Sequence, residues 1–406
     1  LINPELAEDF SLSLEDLLKK SPDFNAYHPT TVMETGWEIL FFWVARMILA
    51  TTYATGEIPF KTVYLHGMVR AEDGKKMSKS RPESIIDPLV VAKEFGADAL
   101  RMALLMGVTP GNDQNWGSGK LKANRNFANK IWNIARYVED IIGENPERTG
   151  AKPKTSADHW VLSKLQRSQE LISSDLDNFR FSEAYDKLYH FIWDDLADWY
   201  IEASKANPNK PLLAYLLEQV LIIAHPFAPF LTETIWQTLA WENDSILASR
   251  QQTKIIDSNA KEAADFEEVK AIVSEARFIT KALKVSGTSL HYQNVPLMEG
   301  NAAVIKLLAK LKSVSEKAEG DGIQLTSTKY RVWLDIDKSK AKTYLKELDD
   351  KRAVAQSSIR QLESRLSNKN YVQNAPEAVV TQTKDQLQAG KELLDSIEQE
   401  YNKFTK

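Results

Sequence analysis

The sequence predicts an α/β segment that gives way to an all-helical bundle, a small second α/β piece and an antiparallel coiled-coil hairpin. Three observations carry this. The β-branched and aromatic stretch Thr62-Val63-Tyr64-Leu65-His66 reads as a strand and leads into the glycine-opened loop Gly74-Lys75-Lys76-Met77-Ser78-Lys79-Ser80. The stretch from Asp158 to about Thr280 reads as almost wholly helical, with apolar residues recurring every three or four positions from Phe181 to Tyr200. From residue 338 onward two apolar stripes step alternately by three and four across one short break.

The totals narrow the function classes. The chain has 406 residues, 43% of them hydrophobic and 26% charged, which is ordinary for a soluble protein of two to four domains. The longest apolar candidate, Ile39 to Ala50, is interrupted by Arg46 and is too short to span a membrane. No signal peptide is recognisable, and zero cysteines exclude disulfides and thiolate metal sites and fit a reducing compartment. His28, His66, His159, His190, His225 and His291 are scattered without paired ligand spacing, so no zinc site is expected. The net charge of −5 means that any nucleic-acid contact must come from local basic patches. Residue 1 is leucine, and a chain that continues upstream is expected.

Taken in order, residues 1–30 are acidic and weakly patterned. From Val32 to Thr52 come a strand-like start, Gly36, and a helix apolar nearly all round, which is expected to be buried. On it Ile39 and Trp43 stand four apart and share a face; taken alone they read as core residues. Gly67, after the strand, permits close approach by a flat ligand. The lysine loop, lying between a strand end and the turns at Arg81-Pro82 and Asp87-Pro88, occupies the place where α/β enzymes put ligand-contacting groups, although a basic run can also be a solvated face. Phe95-Gly96-Ala97 starts another helix, and Pro110 to Gly119 is a Gly-, Asn- and Asp-rich loop. Leu121 to Tyr137 is a helix with Lys122, Arg125, Lys130 and Arg136 set against Phe127, Ile131, Trp132 and Ile134. Its cations suit either phosphate contact or simple solvation.

Asn145 to Thr155 reads as a linker. In the helical stretch beyond it, Phe181, Ala184, Tyr185, Leu188, Ile192, Leu196 and Tyr200 form a core stripe, with Trp193, Trp199, Trp236 and Trp241 as packing residues. Ser289 to Gln293 reads as a strand and Ala302 to Lys312 as a helix, while Tyr330 to Ile336 alternates as a half-buried strand should. In the tail, Leu345, Leu348, Arg352, Ala355, Ile359, Leu362 and Leu366 form one seam; Val380, Thr383, Leu387, Gly390, Leu394, Ile397, Tyr401 and Phe404 form the other. Each arm is roughly 45 Å long at 1.5 Å per residue. Its first helix carries nine lysines and arginines against four acids between Lys338 and Lys369. A basic projecting hairpin suits a nucleic-acid backbone, and dimerisation or plain solvation would suit the pattern too.

Three of these stretches resemble one family. Lys76-Met77-Ser78-Lys79-Ser80 resembles the second signature of the class I aminoacyl-tRNA synthetases. Gly36-Trp37-Glu38, followed by Phe41-Phe42-Trp43-Val44-Ala45-Arg46-Met47, is similar to their valyl branch. The terminal hairpin, with Leu366-Ser367-Asn368 and Asn374-Ala375-Pro376, resembles that branch's C-terminal arm. The likeness covers residues 24–406. It implies the second half of a class I synthetase Rossmann-like catalytic domain, then an all-α anticodon-binding bundle, a small α/β piece and an antiparallel coiled-coil hairpin. The implied boundaries are 1–30 for the tail of an insertion or a linker, 31–120 for the catalytic part with its stem-contact region, 121–154 for a connecting helix and linker, 155–280 for the bundle, 281–336 for the small subdomain and 337–406 for the tRNA-binding arm.

The resemblance also implies a chemistry. ATP activates valine by adenylation, and the aminoacyl group passes to tRNA(Val). Lys76 and Lys79 would be the catalytic pair, binding the charge that builds on the phosphates and departing pyrophosphate; Met77 and Ser78 would sit with them at ATP. Gly36 and Glu38 would approach the ribose, His66, Gly67 and Met68 the adenine, and Ile39 and Trp43 would wall the valine pocket. Arg125, Lys130, Lys351, Arg352, Arg360 and Arg365 would contact tRNA. Mg²⁺ would accompany ATP, with no metal held by the protein and no zinc. A cytoplasmic monomer is implied. The chain departs from the family pattern at Glu38, usually aspartate, at Arg81-Pro82-Glu83, usually Lys-Gly-Asn, and at Gly117-Ser118-Gly119, usually more acidic. The first signature, a His-x-Gly-His string, and the editing insertion do not occur in it, so the sequence reads as a C-terminal portion not expected to turn over alone. The rival readings are a non-catalytic tRNA-binding module and an isoleucyl or leucyl relative.

Overall fold

The computed structural model describes residues 4–9, 11–78, 80–81, 85–143, 151–241, 247, 256–318, 322–368, 371 and 376–405. The chain divides into two compact units. One comprises Leu1–Lys152, Lys164–Trp199 and Lys210–Ile256; the other comprises Pro153–Ser163, Tyr200–Asn209 and Asp257–Lys406.

In the first unit, the short helices α1 (Pro4–Ala7), α2 (Leu14–Lys19) and α3 (Pro22–Tyr27) precede a parallel pair of strands, β1 (Thr30–Gly36) and β2 (Phe60–His66). Their register runs from Thr30 opposite Phe60 to Gly36 opposite His66, so both carboxyl ends lie side by side. The crossover is a 3₁₀ turn (Trp37–Ile39), a π turn (Leu40–Val44) and α4 (Ala45–Thr55). Gly56, at φ +77°, ends α4 in the left-handed conformation that glycine adopts without strain.

The expectation that this crossover is buried is overturned. Only Val44 is fully enclosed, while Phe41 is 77% exposed, Leu49 72% and Tyr53 95%; Phe42 and Trp43 are exposed as well. The reason is geometric. The adjoining sheet has only two strands, so it can cover one stripe of a helix that is apolar on every side.

Further on, β3 (Val69–Arg70) pairs in parallel with β4 (Gln114–Asn115). Between them lie α5 (Pro88–Phe95), capped by Asp87, and α6 (Ala97–Leu105). The long helix α7 (Ser118–Ile142) buries Leu121, Phe127, Ile131 and Ile134 as the spacing predicts, but Trp132 stays 36% exposed, one position off that stripe. Asn124 on α7 is buried and accepts the Tyr185 hydroxyl, and burial drives the Tyr185 phenol well above its ordinary pKa.

The chain then continues through α8 (Ser156–Asp177), α9 (Phe181–His190), a π-helical run (Phe191–Ile201), α10 (Glu202–Ser204), α11 (Lys210–Ala224) and α12 (Pro229–Leu239). The predicted stripe is buried from Ala184 to Tyr200; Phe181 at its head is half-buried, edge-on to Tyr64 on β2 at 5.3 Å. Asp98 on α6 caps the start of α12 by accepting the Phe230 and Leu231 amides.

Beyond residue 257 the second unit comprises α13 (Ala260–Ala282) and a four-stranded sheet of β5 (Ser289–Tyr292), β6 (Ser313–Glu316), β7 (Ile323–Gln324) and β8 (Val332–Leu334), in the order β6-β5-β8-β7. α14 (Pro296–Leu308) crosses from β5 to its parallel neighbour β6; it starts earlier than the sequence suggests because Pro296 suits the first helical position. Strand β8 is shorter than predicted and buried on both faces rather than half-buried. It is an inner strand, and Trp333, on the face expected to be wet, packs near the His291 ring. Last come α15 (Lys338–Ser367) and α16 (Glu377–Thr405), packed as an antiparallel hairpin. Leu348, Ala355, Ile359, Val380, Thr383 and Ile397 of the predicted seams are buried between them.

One carboxylate ties α13 to this sheet. Glu275 is buried and accepts the backbone amides of Thr326 and Ser327 and both their hydroxyls, at 2.6–2.9 Å. Glu275→Ala leaves those amides without their acceptor and is expected to cost on the order of 3 kcal/mol in chemical denaturation. A loss under about 0.5 kcal/mol would mean the turn finds other partners.

Candidate functional site

The residues expected to meet a nucleotide gather at the carboxyl ends of β1 and β2. Neighbouring strands lie about 4.8 Å apart, so Gly36 and His66 face the same opening, where open α/β sheets bind ligands. The Glu38 carboxylate folds back over Gly36, 2.6 Å from where a Cβ would stand. The His66 ring pairs through Nδ1 with Glu34 on β1. Gly67 has no room for a side chain: a Cβ on it would lie 1.6 Å from the Asn112 carbonyl oxygen. The backbone of 111–116 zips along β2 and β3 at that point: Gly111 N–H donates to Leu65 O, Gln114 N–H to Met68 O and Trp116 N–H to Arg70 O.

This zipper delivers a residue that sequence reading missed. Asp113 accepts the Trp37 indole N–H at 3.0 Å and the Met68 amide at 2.7 Å on Oδ1, and the Arg70 guanidinium at 2.7 Å on Oδ2. Those donors, the Trp37 indole foremost, hold its carboxyl down at about 2. One side chain thus joins the turn after β1, the segment after β2 and the strand that feeds the lysine loop. Only its place in a Gly-Asn-Asp turn hinted at it, and such turns are common.

The loop itself is closed on its own backbone. Ala71 N–H donates to Lys75 O, Gly74 (φ +76°) N–H donates to Ala71 O, and Ser78 and Ser80 share a hydroxyl hydrogen bond of 2.6 Å. Arg81 clamps it, donating to the Lys76 carbonyl at 2.8 Å and to Asp73 at 3.1 Å. Lys76 is exposed, with no ion pair to any described residue; Met77 is half-buried. Lys79, Pro82 and Glu83 lie outside the described residues. Ile39 and Trp43 are 40% and 55% exposed, on the apolar ridge that begins at Trp37.

The candidate RNA contacts divide. Arg360 and Arg365 line an open groove of about 510 Å³ on α15 with Ser357, Gln361 and Ser364. Lys351 is exposed, and Arg125 is exposed over the Phe95 ring at 5.3 Å. Lys130, by contrast, is paired with Asp198 at 2.8 Å and lies over Trp193, and Arg352 sits in the hairpin seam, paired with Asp349 and stacked on Tyr401 at 5.1 Å. These two cations already serve the fold, as helix and seam positions with acidic or aromatic neighbours tend to.

Three family models match in succession: tRNA synthetases class I (I, L, M and V) over 11–117, anticodon-binding domain of tRNA ligase over 158–291, and valyl tRNA synthetase tRNA binding arm over 335–405. They define a class I tRNA synthetase. The valine–tRNA ligase of Staphylococcus carnosus is 34% identical over 93% of this chain and 46% of its own length; that of Bacillus cereus is 42% identical over 60% of this chain and 29% of its own. The chain therefore spans less than half the length of these relatives. The solved LeuRS-tRNA-LeuAMS ternary complex of Agrobacterium radiobacter aligns at TM-score 0.49 and 21% identity, over 65% of this chain and 30% of that one. The chain belongs to the valyl-tRNA synthetase family.

Asp113 should be the fastener of the site. Asp113→Asn keeps its shape but loses the charge and one acceptor. It is expected to raise hydrogen exchange at the Met68 amide about tenfold; unchanged protection would assign that geometry to the backbone zipper alone. The sign of the pH dependence follows from the depressed pKa. The stabilisation is complete above the unfolded carboxylate value of about 3.9 and fades as pH falls toward about 2. Trp37 fluorescence should accordingly hold steady from about pH 7 to 4 and change only below that.

Proposed function

We propose that this chain is the C-terminal portion of a valine–tRNA ligase, which activates valine with ATP and transfers it to the 3′ end of tRNA(Val). The observation that carries the reading is the joining by Asp113 of the Gly36 turn, the His66–Met68 segment and the root of the lysine loop. In this reading the adenosine lies across the two strand ends, with Glu38 at the ribose and the backbone of 66–68 at the base edge. The Ile39 and Trp43 faces wall the valine side chain, and their present exposure leaves them available to a ligand.

The reaction is attack of the valine carboxylate on the α-phosphate, with pyrophosphate leaving. Negative charge moves onto the departing group, and a loop lysine that meets it late binds the transition state more tightly than the ground state. Lys76 suits this because its ammonium is exposed, while the Arg81 clamp organises the backbone around it. Mg²⁺ enters with the ATP phosphates. The hairpin, basic along α15, takes the tRNA backbone.

The test is pyrophosphate exchange driven by valine, in the longest protein that carries this sequence. Lys76→Ala and Lys79→Ala should each slow exchange by about 10²-fold with valine affinity little changed. Equal losses in rate and valine binding would sink the transition-state role. Exchange driven by isoleucine or leucine in place of valine would sink the valine assignment.

A further inference from the structure

At the root of the hairpin, within the second unit, lies an open cleft of about 620 Å³ between the end of α13 and the first turns of α15. Lys281, Lys284, Lys340 and Lys351 line it, against the carboxylates of Glu347 and Glu400. The Glu400 carboxylate is engaged, accepting the Tyr344 hydroxyl at 2.5 Å. Lys281, Lys284 and Lys351 have no ion pair to any described residue. The floor is apolar and fixed: Phe404 packs against both Phe278 on α13 and Tyr344 on α15, at 6.0 and 5.3 Å between ring centres. The lysines are therefore held on a built joint rather than on loose chain.

Their arrangement selects among anions. Lys340 and Lys351 are about 16 Å apart along α15 at 1.5 Å per residue, too far for one phosphate to touch both. The flank also continues. Tyr344, Glu347 and Lys351 each directly precede a residue of the hairpin seam, and so does Arg365, two heptads beyond Lys351. Arg365 lines the groove farther along the arm. Lys340, Lys351 and Arg365 are spaced along this flank, with Glu347 among them, and a chain of phosphates can span that length where a small anion does not.

We propose that this cleft is a second binding site for the sugar-phosphate backbone of RNA, continuous with the basic flank of the arm. The inference rests on the tRNA reading above. A strand entering at Lys281 and Lys284 and leaving past Lys351 toward Arg365 meets the arm at its root as well as farther out. Contact at the root sets the angle at which the hairpin lies on its RNA.

The experiment is equilibrium binding of a tRNA(Val) transcript to the 406-residue chain across a salt series. The variants are Lys281→Ala/Lys284→Ala in the cleft and Arg360→Ala/Arg365→Ala on the arm. These are exposed side chains, and circular dichroism checks that each variant is folded. The cleft variant is expected to bind about tenfold more weakly at moderate salt, with a log–log salt slope shallower by about two, one unit per lost phosphate contact. If the native chain binds tRNA and the arm variant weakens it while the cleft variant keeps both affinity and slope, the cleft proposal is overturned and the tRNA reading stands. If the native chain does not bind tRNA at all, the tRNA reading itself falls, and this inference with it.

Discussion

Three hydrogen-bonded contacts on one carboxylate hold the carboxyl ends of β1 and β2 to the segments around them. Asp113 reaches the Trp37 indole, the Met68 amide and the Arg70 guanidinium, so it joins its own turn to two segments far from it in sequence. Without it, the strand ends of β1 and β2 would still pair, since their register runs unbroken from Thr30 to Gly36. The backbone bonds of 111–116 would still hold the root of the loop that carries Lys76, but its tie to the Trp37 turn would be lost. A charged acceptor suits this role because bonds to it are stronger than neutral ones and their geometry is stiffer. The same donors favour the charged form and so lower the carboxyl's pKa.

Around this fastener the unit is well packed on one side and bare on the other. Helix α7 buries a continuous face, and α11 is buried along most of its length. The crossover from Trp37 to Thr55, by contrast, presents Phe41, Phe42, Trp43, Leu49 and Tyr53 to solvent. An apolar surface of that density on a two-stranded sheet is an incomplete layer by the ordinary rule that sheets bury their apolar faces. The same bareness keeps Ile39 and Trp43 open at the mouth of the strand ends.

The second unit solves a different problem, which is to project a long hairpin from a small base. Its sheet is anchored to α13 by Glu275, and the hairpin root is wedged by Phe278, Phe404 and Tyr344. The seam between α15 and α16 is lean, containing Ala355, Thr383 and Gly390 alongside larger residues. Gly390 lets Ile359 approach closely: a Cβ there would lie 3.3 Å from its side chain. Arg352 contributes to that seam through Tyr401 and Asp349, so a basic residue on this helix is not automatically a contact for RNA.

By itself the sequence determined the elements whose periodicity or motif is local. The strand into His66, the glycine-led loop, the stripes of α9 and of the hairpin, and the family likeness could all be read along the chain, because repeats of two, three-and-a-half and 3.6 residues need no knowledge of distant partners. The tertiary structure alone decided what faces what. It placed Asp113 beside Trp37, 76 positions away, and it brought the Asn112 carbonyl to where a side chain on Gly67 would stand. It left the crossover helix exposed and buried both faces of β8, drew Lys130 and Arg352 into the fold, and set the lysines of α13 against those of α15. Burial and pairing between segments far apart in sequence depend on how many layers are stacked and in what register, and no local pattern carries that information.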